Sequence, residues 1–494
     1  MSKYKLPNKP FEYQNFVNGE YINSLSNETF ERKSPAHGNL IGTYQLSNKQ
    51  DTEQAISVAK KAFKSNAWSE MAGSDREKII RKAASIIRER AQELALIETL
   101  ESGKPISQAL DEMEWAAGIW EYAATLSRHI TGDVNTNVGK DMTAIMQKVP
   151  IGVVAMITPW NFPLLIISQK LPIALAAGCT AVIKPSEMTP GTTLLLGGIL
   201  KEAGLPDGVV NILSGYGDPV GMTLSESNNI DMITFTGSTA VGKHIMRAAA
   251  TNLKKVELEL GGKNPQIIFP DANIDELIDP VVFGIYFNMG ECCNSGSRII
   301  IHKDIADEFV EKLVAHAKKV KVGDPLDPTV KMGAIINDVQ YDKIIRYIES
   351  GIKQGATLKL GGTSLKTEKG AFIDPTIFSD VTPEMAIACE EIFGPVLSIL
   401  TFDTADEALE IANNTEFGLS ASVWTKDIDT AMIMTRNIEA GTVWVNNWMS
   451  GYPEIPFGGM KQSGIGRELG PRAIDEFMET KSVLIKTGKS SNWV

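Results

Sequence analysis

Residues 152–184 read GVVAMITPWNFPLLIISQKLPIALAAGCTAVIK, and this segment contains the patterns of a strand, a loop, a helix and a second strand. The apolar, β-branched run from Gly152 to Ile157 predicts a buried strand, and Thr180–Lys184 predicts another. A proline-rich loop and a helical pattern from about Ile166 to Ala177 separate them. Short buried strands joined by helices are typical of a parallel sheet.

The same alternation continues towards the C-terminus. Strand patterns at 209–213 and 232–236 alternate with helix patterns at 192–203 and 241–250. We therefore predict an α/β fold with a doubly wound parallel sheet, whose ligands lie at the carboxyl ends of the strands. Strand and helix patterns resume after Glu259, which predicts a second α/β unit beyond a boundary near Gly261-Gly262.

Two further segments are predicted to be β-structure outside these units. Residues 11–48 are rich in strand patterns, and Asn18-Gly19 between apolar residues predicts a hairpin turn. Residues 131–149 are punctuated by glycine and asparagine and end in an alternating pattern. This ribbon has no core of its own, and an unpaired strand edge invites pairing with another chain. We therefore expect an oligomer contact there.

The composition is that of an acidic globular protein of more than one domain. The chain has 494 residues, 43% of them hydrophobic and 22% charged, with a net charge of -12. We expect no nucleic-acid partner, because such proteins usually present a basic face. Four cysteines form no disulfide framework, and five histidines without ligand spacing predict no metal. Because the N-terminus lacks an apolar signal region, we expect a cytoplasmic protein.

The segment Ile151–Gln169 has no charged residue over the length of a membrane span. Pro159 and Pro163 interrupt it, and Lys170 follows directly. Prolines remove backbone donors and break helices. We therefore predict a buried strand, a loop and a helix here, and no membrane partner.

Residues 287–298 read FNMGECCNSGSR and place two cysteines side by side among small, polar residues. A thiolate nucleophile needs such access and nearby donors. Free cysteine is also among the most buried residue types. From these residues alone, Cys292 and Cys293 are either a nucleophile and its neighbour or an inert buried pair.

Three other motifs each allow two interpretations. The segment Gly237–Gly242 lies between a strand and a helix pattern, where it either holds a pyrophosphate or serves close packing. Lys184 and Glu187 end a strand and either bind ribose hydroxyls or form a solvated loop. Glu257 and Glu259 share one face of a strand pattern. They indicate either a general base or a strand with one solvent-exposed face.

Seven motifs occur in order along nearly the whole chain, and together they resemble the NAD(P)-dependent aldehyde dehydrogenase superfamily. In chain order they are Pro159-Trp-Asn-Phe-Pro, Lys184-Pro-Ser-Glu, Phe235-Thr-Gly-Ser-Thr, Leu258-Glu-Leu-Gly-Gly-Lys, Phe287-Asn-Met-Gly-Glu-Cys-Cys, Glu391-Ile-Phe-Gly-Pro and Pro456-Phe-Gly-Gly-Met-Lys-Gln-Ser-Gly-Ile-Gly-Arg-Glu. Any one of them could occur by chance, whereas seven in the family's order identify a member of the family.

The resemblance implies NAD-dependent oxidation of an aldehyde to its carboxylic acid through a thiohemiacetal and a thioester on cysteine. In this family the nucleophile lies five residues before the arginine that closes the cysteine motif, and counting back from Arg298 gives Cys293. Asn161 matches the side-chain donor to the oxyanion. Glu259 matches the base that activates the hydrolytic water, and Glu468 resembles an outer member of a proton relay.

The resemblance also implies a set of cofactor-binding residues and no metal. Lys184 and Glu187 match the residues at the adenosine ribose, and Gly237 and Ser238 match the pyrophosphate turn. The residues matching the nicotinamide side of the cleft are Trp160, Glu391 and Phe393. Because a carboxylate at Glu187 accepts ribose hydroxyls and repels a 2′-phosphate, we predict NAD as the cofactor, with NADP as a weaker alternative.

The family's architecture implies three parts in this chain. Residues 1–128 and 150–260 are expected to form the NAD-binding domain, and residues 261–461 the catalytic domain. Residues 129–149 and 478–494 are expected to form a small oligomerisation ribbon. Homodimers or homotetramers are usual in the family.

The substrate pocket is expected to include Gln169, Cys292, Asn294 and Phe457. Gln169 stands where several relatives carry an aromatic residue, and Asn294 directly follows the nucleophile. These polar residues favour a polar or hydroxylated aldehyde, lactaldehyde-like or sugar-derived. The alternatives are a betaine-aldehyde-type enzyme, a semialdehyde dehydrogenase that acylates coenzyme A, and a catalytically silent homologue.

Overall fold

The computed structural model describes residues 4–367 and 370–489, which fold around two large sheets and a separate ribbon. Within these ranges, the helices are α1 Lys49–Lys64, α2 Gly73–Glu89, α3 Ala91–Ser102, α4 Ile106–Leu126, α5 Pro163–Ala177, α6 Gly191–Ala203, α7 Met222–Glu226, α8 Thr239–Ala249, α9 Ile274–Tyr286, α10 Lys303–Ala317, α11 Asp338–Lys353, α12 Ala386–Cys389, α13 Ala405–Asn413, α14 Ile428–Asn437 and α15 Ala473–Glu476.

The strands of the same ranges are mostly short. They are β1 Phe11–Tyr13, β2 Asn15–Val17, β3 Glu20–Ile22, β4 Thr29–Lys33, β5 Leu40–Gln45, β6 Asp133–Asn135, β7 Met142–Pro150, β8 Val153–Ile157, β9 Thr180–Lys184, β10 Val210–Ile212, β11 Met232–Thr236, β12 Lys255–Glu259, β13 Pro265–Ile268, β14 Arg298–His302, β15 Thr357–Leu360, β16 Ser364–Thr367, β17 Gly370–Ile373, β18 Thr376–Ser379, β19 Val396–Phe402, β20 Phe417–Gly418, β21 Ser420–Trp424, β22 Thr442–Val445, β23 Met460–Lys461, β24 Gly464–Ile465 and β25 Met478–Lys486.

The first sheet has the order β24-β12-β11-β8-β9-β10-β2-β3. Its central strands β12, β11, β8, β9 and β10 are parallel to one another. The order reverses direction at β8, so the carboxyl ends of β8, β9, β11 and β12 flank the point where ligands bind in doubly wound sheets. The predicted α/β fold with a doubly wound parallel sheet is confirmed.

The second sheet has the order β15-β18-β19-β14-β13-β21-β22. All of its pairings are parallel except that of β15 with β18, at one edge. Helices α9 and α10 pack against each other and belong to this unit. The turn that carries the two cysteines connects α9 to β14, the central strand, so the cysteines lie at the amino end of that strand.

The uncharged segment that resembles a membrane span forms β8, a loop and α5. Nearly every residue of α5 is buried, and Trp120 of α4 donates its indole N–H to Ser168 of α5 at 2.9 Å. The helix starts at Pro163, earlier than its predicted start at Ile166, because proline is tolerated in the first helical turn. In the described residues, no helix is both long and apolar enough to cross a membrane.

The predicted hairpin and ribbon are both present. Asn18 and Gly19 have φ of 53° and 78° between β2 and β3, the left-handed pair that a tight hairpin turn requires. In the ribbon, β7 pairs antiparallel with β25 over nine residue pairs and with β6 on its other side. The apolar side chains of Val134, Leu484 and Ile485 are exposed there. The expected C-terminal segment 478–494 extends beyond the described residues at 490–494.

Candidate active site

The turn that precedes the cysteines has three consecutive residues in the left-handed region. Helix α9 ends at Tyr286, and Asn288, Met289 and Gly290 have φ of 49°, 58° and 71°. A Cβ on Gly290 would lie 2.3 Å from the backbone oxygen of Gly394. Glycine is therefore required at this position, where the turn packs against the segment that follows Glu391.

Hydrogen bonds to the backbone fix the two cysteines. The Asn264 side-chain amide donates to the carbonyl of Cys293 at 2.7 Å and to that of Ser295 at 2.9 Å. The Ser295 N–H donates to the Cys292 carbonyl at 3.0 Å. Cys292 is buried and Cys293 is partly exposed. Of the adjacent pair, Cys293 is therefore the more accessible thiol.

Asn161 lies in the loop between β8 and α5, at the carboxyl end of the first sheet. Its side-chain amide donates to the Glu291 carbonyl at 3.2 Å, and its own carbonyl accepts from the Asn288 amide at 3.2 Å. The Asn288 amide also donates to the Glu291 carbonyl at 2.9 Å. Because a side-chain amide carries two N–H donors, Asn161 can still offer one of them to a substrate oxygen.

Glu259 is the last residue of β12 and is buried with 4% of its surface exposed. Neither carboxyl oxygen has a hydrogen-bond partner in the described structure. A Cβ on Gly458 would lie 2.7 Å from Glu259 Oε1, so the glycine leaves space beside the carboxyl group. A buried carboxyl without partners is costly, and it is the arrangement expected of a group that receives a proton from a ligand.

A cavity of about 380 Å³ brings most of the expected catalytic and substrate-pocket residues together. Its lining includes the sequence-predicted residues Glu259, Cys292, Cys293, Asn294, Gln169, Phe457 and Glu468. Asn161 does not line this cavity, but its side-chain amide donates to the carbonyl of Glu291, the residue before Cys292. A groove of about 520 Å³ elsewhere, beside α10, is larger but is lined by no cysteine. The smaller cavity is therefore the candidate active site.

The two reacting groups of this cavity both have raised pKa values. A hydrogen bond with Cys292, together with burial, raises the pKa of the Cys293 thiol well above its usual value. Burial, reinforced by the charge of Glu468, raises the pKa of Glu259 well above its usual value. A raised pKa makes each group a stronger base once ionised. Nucleophilic attack by Cys293 therefore requires a nearby proton acceptor.

Behind Glu259, a buried ammonium group pairs with the second expected carboxyl. Lys170 contacts Glu468 in an ion pair and donates to the Thr234 hydroxyl at 2.9 Å. Both members of the ion pair are at least 98% buried, since Lys170 is 0% and Glu468 is 2% exposed. This pair places Glu468 at the cavity wall, next to Glu259.

The expected adenosine-side residues lie at the carboxyl ends of β9 and β11. Lys184 Nζ donates to the Pro185 carbonyl at 2.9 Å and lies 3.4 Å from Glu187 Oε2. Burial lowers the pKa of Lys184. Ser238 caps helix α8, and its hydroxyl accepts from the Val241 N–H at 3.4 Å.

Gly237 next to it is required by packing, because a Cβ there would lie 2.4 Å from the Phe235 ring. The packing interpretation of this glycine motif is thus supported, and pyrophosphate binding at the start of α8 stays a prediction.

The expected nicotinamide-side residues lie next to the cysteine loop. Glu391 Oε1 accepts from the Gly262 N–H at 3.1 Å, and the Glu391 charge helps to raise the pKa of Cys293. The rings of Trp160 and Phe393 meet edge to face with centroids 5.3 Å apart. These contacts bring the carboxyl ends of strands in the first sheet together with the segments that precede β13, β14 and β19 of the second sheet.

A second buried ion cluster lies beneath the cavity and was missed from the sequence. Lys104 donates to Glu98 at 2.8 Å and also contacts Glu112, and all three residues are almost fully buried. The Lys104 ammonium lies 4.5 Å from the centre of the Phe162 ring, which stacks on Phe287 in the cavity wall. From the sequence, Gly103-Lys104-Pro105 indicates the end of a helix and nothing more.

Glu291, which stands where relatives frequently carry glutamine, adjoins this cluster. Burial raises its pKa well above the usual value, although the Lys104 charge opposes the shift. Its Oε1 accepts from the Ile336 N–H at 3.2 Å. A protonated carboxyl resembles an amide in shape and hydrogen bonding, so the glutamate fits here without an unpaired charge.

Three other groups of the site carried a weak sequence signal. Asn264 directly follows the Leu258–Lys263 motif, Lys170 is a lone charge in an apolar helix pattern, and Trp444 lies in a predicted strand. Only the fold shows that Asn264 holds the cysteine loop and that Trp444 lines the cavity. A lone charge at an otherwise apolar helix is the signal that could have found Lys170.

Comparisons with known proteins agree with this geometry. The model of the aldehyde dehydrogenase family matches residues 21–483. The chain is 44% identical over 484 residues to retinal dehydrogenase 2 of Homo sapiens, which covers 97% of this chain and 93% of that protein. The chain therefore belongs to the aldehyde dehydrogenase family.

Solved structures give the same result. An NAD-dependent aldehyde dehydrogenase from Sinorhizobium meliloti superposes with a TM-score of 0.97 at 46% identity, over 98% of this chain and 97% of that one. An indole-3-acetaldehyde dehydrogenase of P. syringae, in complex with NAD+ and IAA, superposes with a TM-score of 0.95 at 40% identity, over 97% and 98% of the two chains. The family resemblance of the seven motifs is confirmed.

Proposed function

We propose that this chain oxidises an aldehyde to its carboxylic acid with NAD, through a covalent intermediate on Cys293 that water hydrolyses. The observation that carries this proposal is the cavity in which the accessible thiol of Cys293 and the unpartnered carboxyl of Glu259 lie together. A nucleophile and a base in one enclosed space can both form and hydrolyse an acyl intermediate.

Formation of the intermediate uses Cys293 and Asn161. The Cys293 thiol gives its proton to ionised Glu259 in the same cavity, the sulfur bonds to the aldehyde carbon, and the electron pair of the C=O π bond moves onto the carbonyl oxygen, which gains negative charge. The free N–H of the Asn161 amide can donate to that oxygen. Loss of one such donor typically raises the barrier by about 2.7–4 kcal/mol.

Hydrolysis of the intermediate uses Glu259. Ionised Glu259 takes a proton from water, and the water oxygen bonds to the thioester carbon as the bond to sulfur breaks. Because burial raises the pKa of Glu259, the rate of this step should fall as the pH drops and Glu259 becomes protonated. The presence of this base favours release of the acid over transfer of the acyl group to coenzyme A.

The residues at the cleft fit NAD by the chemistry of their donors. Lys184 and Glu187 suit ribose hydroxyls, the start of α8 suits a pyrophosphate, and Glu391 suits the second ribose. When bound, NAD supplies the hydride acceptor that turns the thiohemiacetal at Cys293 into a thioester. Glu187 is half-buried beside Lys184, where its charge would oppose the 2′-phosphate of NADP.

The cavity lining supports an aldehyde with a large apolar or aromatic body. Most of the wall is aromatic or aliphatic, with Phe162, Phe287, Trp444 and Phe457 among the rings. Gln169 and Asn294 are polar exceptions. The sequence-based expectation of a small hydroxylated aldehyde stays a prediction, but such a molecule would leave most of these rings uncovered. Retinal dehydrogenase 2 and the indole-3-acetaldehyde dehydrogenase are named for bulky apolar substrates.

The same rings also support the alternative of a betaine-aldehyde-type substrate, because aromatic faces attract quaternary ammonium groups. A betaine aldehyde dehydrogenase of Staphylococcus aureus superposes with a TM-score of 0.95 at 37% identity. Aliphatic side chains such as Leu165 and Ile166 interrupt the ring surface. We therefore propose an apolar aldehyde, in preference to a betaine aldehyde, as the substrate.

We further propose that the ribbon joins copies of the chain into a homodimer or homotetramer. Leu484 is 64% exposed on β25, the outer strand of the ribbon. Strand β22 forms an outer edge of the second sheet. Two open strand edges and exposed apolar side chains on one chain are complementary to those of a second copy.

The nucleophile can be tested with the two neighbouring cysteines. Cys293→Ala should lower the rate of NADH formation by roughly 10⁴-fold or more, as in other enzymes that lose a covalent nucleophile. Cys292→Ala, the matched control, should keep a rate of the same order as the unchanged chain. The measurement is NADH absorbance with an aldehyde in excess. Activity that survives in Cys293→Ala and disappears in Cys292→Ala would reverse the assignment.

The cofactor preference can be tested at Glu187. Glu187→Gln should raise kcat/KM for NADP relative to NAD about fivefold or more, since like charges about 4 Å apart repel by about 1 kcal/mol even in water. Glu202→Gln, at the far end of α6, should leave the ratio unchanged. If the protein without substitutions used low concentrations of NADP as fast as NAD, this would contradict the predicted preference for NAD.

The substrate class can be tested with a panel of alkanals, aromatic aldehydes, lactaldehyde and betaine aldehyde. Along the alkanals, kcat/KM should rise by about fourfold per added methylene until the cavity is filled, because each buried methylene contributes about 0.8 kcal/mol. Aromatic aldehydes should exceed lactaldehyde. A higher kcat/KM for lactaldehyde than for propanal, lost in Gln169→Leu, would instead support the hydroxylated class.

The oligomer can be tested by light scattering. The protein without substitutions should have the mass of a dimer or tetramer of the 53.7 kDa chain. Leu484→Glu should lower this mass, because it places a charge in the buried contact. Leu365→Glu is the control, since Leu365 is 60% exposed on β16, away from the ribbon. A monomeric unchanged chain at micromolar concentration would contradict the proposal.

A further inference from the structure

Glu257 is a buried carboxyl that the mechanism above does not use. It lies two residues before Glu259 on β12 and is 1% exposed. In the register of the sheet, Glu257 stands opposite Thr234 and Glu259 opposite Thr236. The two carboxyls therefore follow one another along one face of the strand, with Glu259 at the cavity and Glu257 one step behind it.

A single ammonium group serves three carboxyls in this region. Lys170 pairs with Glu468 and donates to the Thr234 hydroxyl, which in turn hydrogen-bonds Glu257. The charges of Glu257 and Glu259 also stabilise the Lys170 ammonium. The Arg467 guanidinium also lowers the pKa of Glu259; with all three carboxyls ionised, Lys170 and Arg467 together would still leave one uncompensated negative charge, which is costly away from water. The cluster therefore holds at least one exchangeable proton near neutral pH.

The polar atoms of the cluster are arranged for proton exchange. Glu257 Oε2, Glu468 Oε2 and both oxygens of Glu259 have no hydrogen-bond partner in the described structure. Burial raises the pKa of Glu257 to about 7, so this group changes its charge in the range where the enzyme would work. Lys170 would remain paired with Glu468 and Thr234 if Glu257 were absent. The ion pair of Lys170 with Glu468 therefore does not depend on Glu257, and the conservative Glu257→Gln change can separate a structural role from a role in proton transfer.

We propose that Glu257 receives the proton that Glu259 takes from the hydrolytic water and passes it on towards solvent. This inference rests on the function proposed above. The water O–H bond breaks, its proton moves to Glu259, and the oxygen bonds to the thioester carbon. The carbon–sulfur bond breaks and its electron pair stays on Cys293. The proton then moves through the Glu468–Lys170 pair to Glu257, which returns Glu259 to its ionised form.

The outer end of this route lies at Glu476. Glu476 ends α15, is paired with Lys255 at 3.3 Å and has a side chain that is 33% exposed. Its charge contributes to the raised pKa of Glu257. On the other side, the backbone of Gly466 covers Glu257, since a Cβ there would lie 3.1 Å from Glu257 Cγ. Glu257 acts through Glu259 and does not touch the substrate.

The test is Glu257→Gln, which keeps the size of the side chain and cannot be ionised. The first turnover of NADH should keep its rate, whereas decay of the acyl-enzyme, followed by rapid quench and intact mass, should slow by about tenfold. This is less than the roughly 10²–10⁴-fold contribution of a general base itself. The solvent deuterium isotope effect on that decay should rise. In a plot of the decay rate against pH, the fall on the acid side should move to lower pH, because the negative charge of Glu257, which raises the pKa of Glu259, is gone.

Glu101→Gln is the matched control, because Glu101 is also a buried carboxyl, with a pKa raised to about 8, and lies outside the cavity. It should change neither the decay nor its isotope effect. Glu257→Asp should restore part of the decay rate. A Glu257→Gln enzyme with unchanged decay and isotope effect would overturn the proposal. The proposal would also be overturned if Glu257→Gln slowed the first turnover and the decay equally and Glu257→Asp restored neither rate. Failure of the function itself would differ, because the unchanged chain would then form no NADH.

Discussion

The hydrogen bond from the Asn161 amide to the Glu291 carbonyl joins the two halves of the candidate site. Asn161 follows a strand of the first sheet, and Glu291 precedes the cysteines that lead into the second. The left-handed turn at residues 288–290 directly precedes Glu291, and the Asn288 amide in it donates to the Asn161 carbonyl. Together these bonds hold the proposed oxyanion donor and the proposed nucleophile, which come from separate units, close to each other. Catalysis by positioned groups depends on such fixed geometry.

Buried charge is the second constraint on this protein. Two ammonium groups, Lys104 beneath the cavity and Lys170 behind it, each face more carboxyls than they can neutralise. Burying such sets costs free energy unless some carboxyls are protonated. Burial raises the pKa values of Glu112, Glu257, Glu259 and Glu291 accordingly. The cluster beneath the cavity supports the aromatic wall, and the cluster behind it surrounds Glu259, so similar electrostatics serve packing in one place and the proposed proton transfer in the other.

The interpretation of the substrate changed most between sequence and structure. Gln169 and Asn294 are polar and adjoin the expected site, and this favoured a hydroxylated aldehyde. The folded cavity adds rings from distant segments, including Trp115 on α4 and Trp444 on β22, whose contribution no local pattern indicated. The polarity of a pocket depends on all the residues of its wall. Gln169 and Asn294 therefore say less about the substrate than they did when only the residues near the motifs were considered.

The sequence by itself determined the alternation of strands and helices in the first sheet, the hairpin at Asn18-Gly19 and, through the family resemblance of its motifs, Cys293 as the candidate nucleophile. These depend on local periodicity, turn chemistry and short motifs, which are properties of neighbouring residues. Tertiary structure alone decided that Asn264 holds the cysteine loop, that Lys104 and Lys170 are buried among carboxyls, and that Glu257 stands behind Glu259 in a closed cluster. The contacts of Asn264 and the Lys170–Glu468 pair join residues far apart in the chain, and burial depends on everything packed around a side chain. Neither can be derived from the residues beside it.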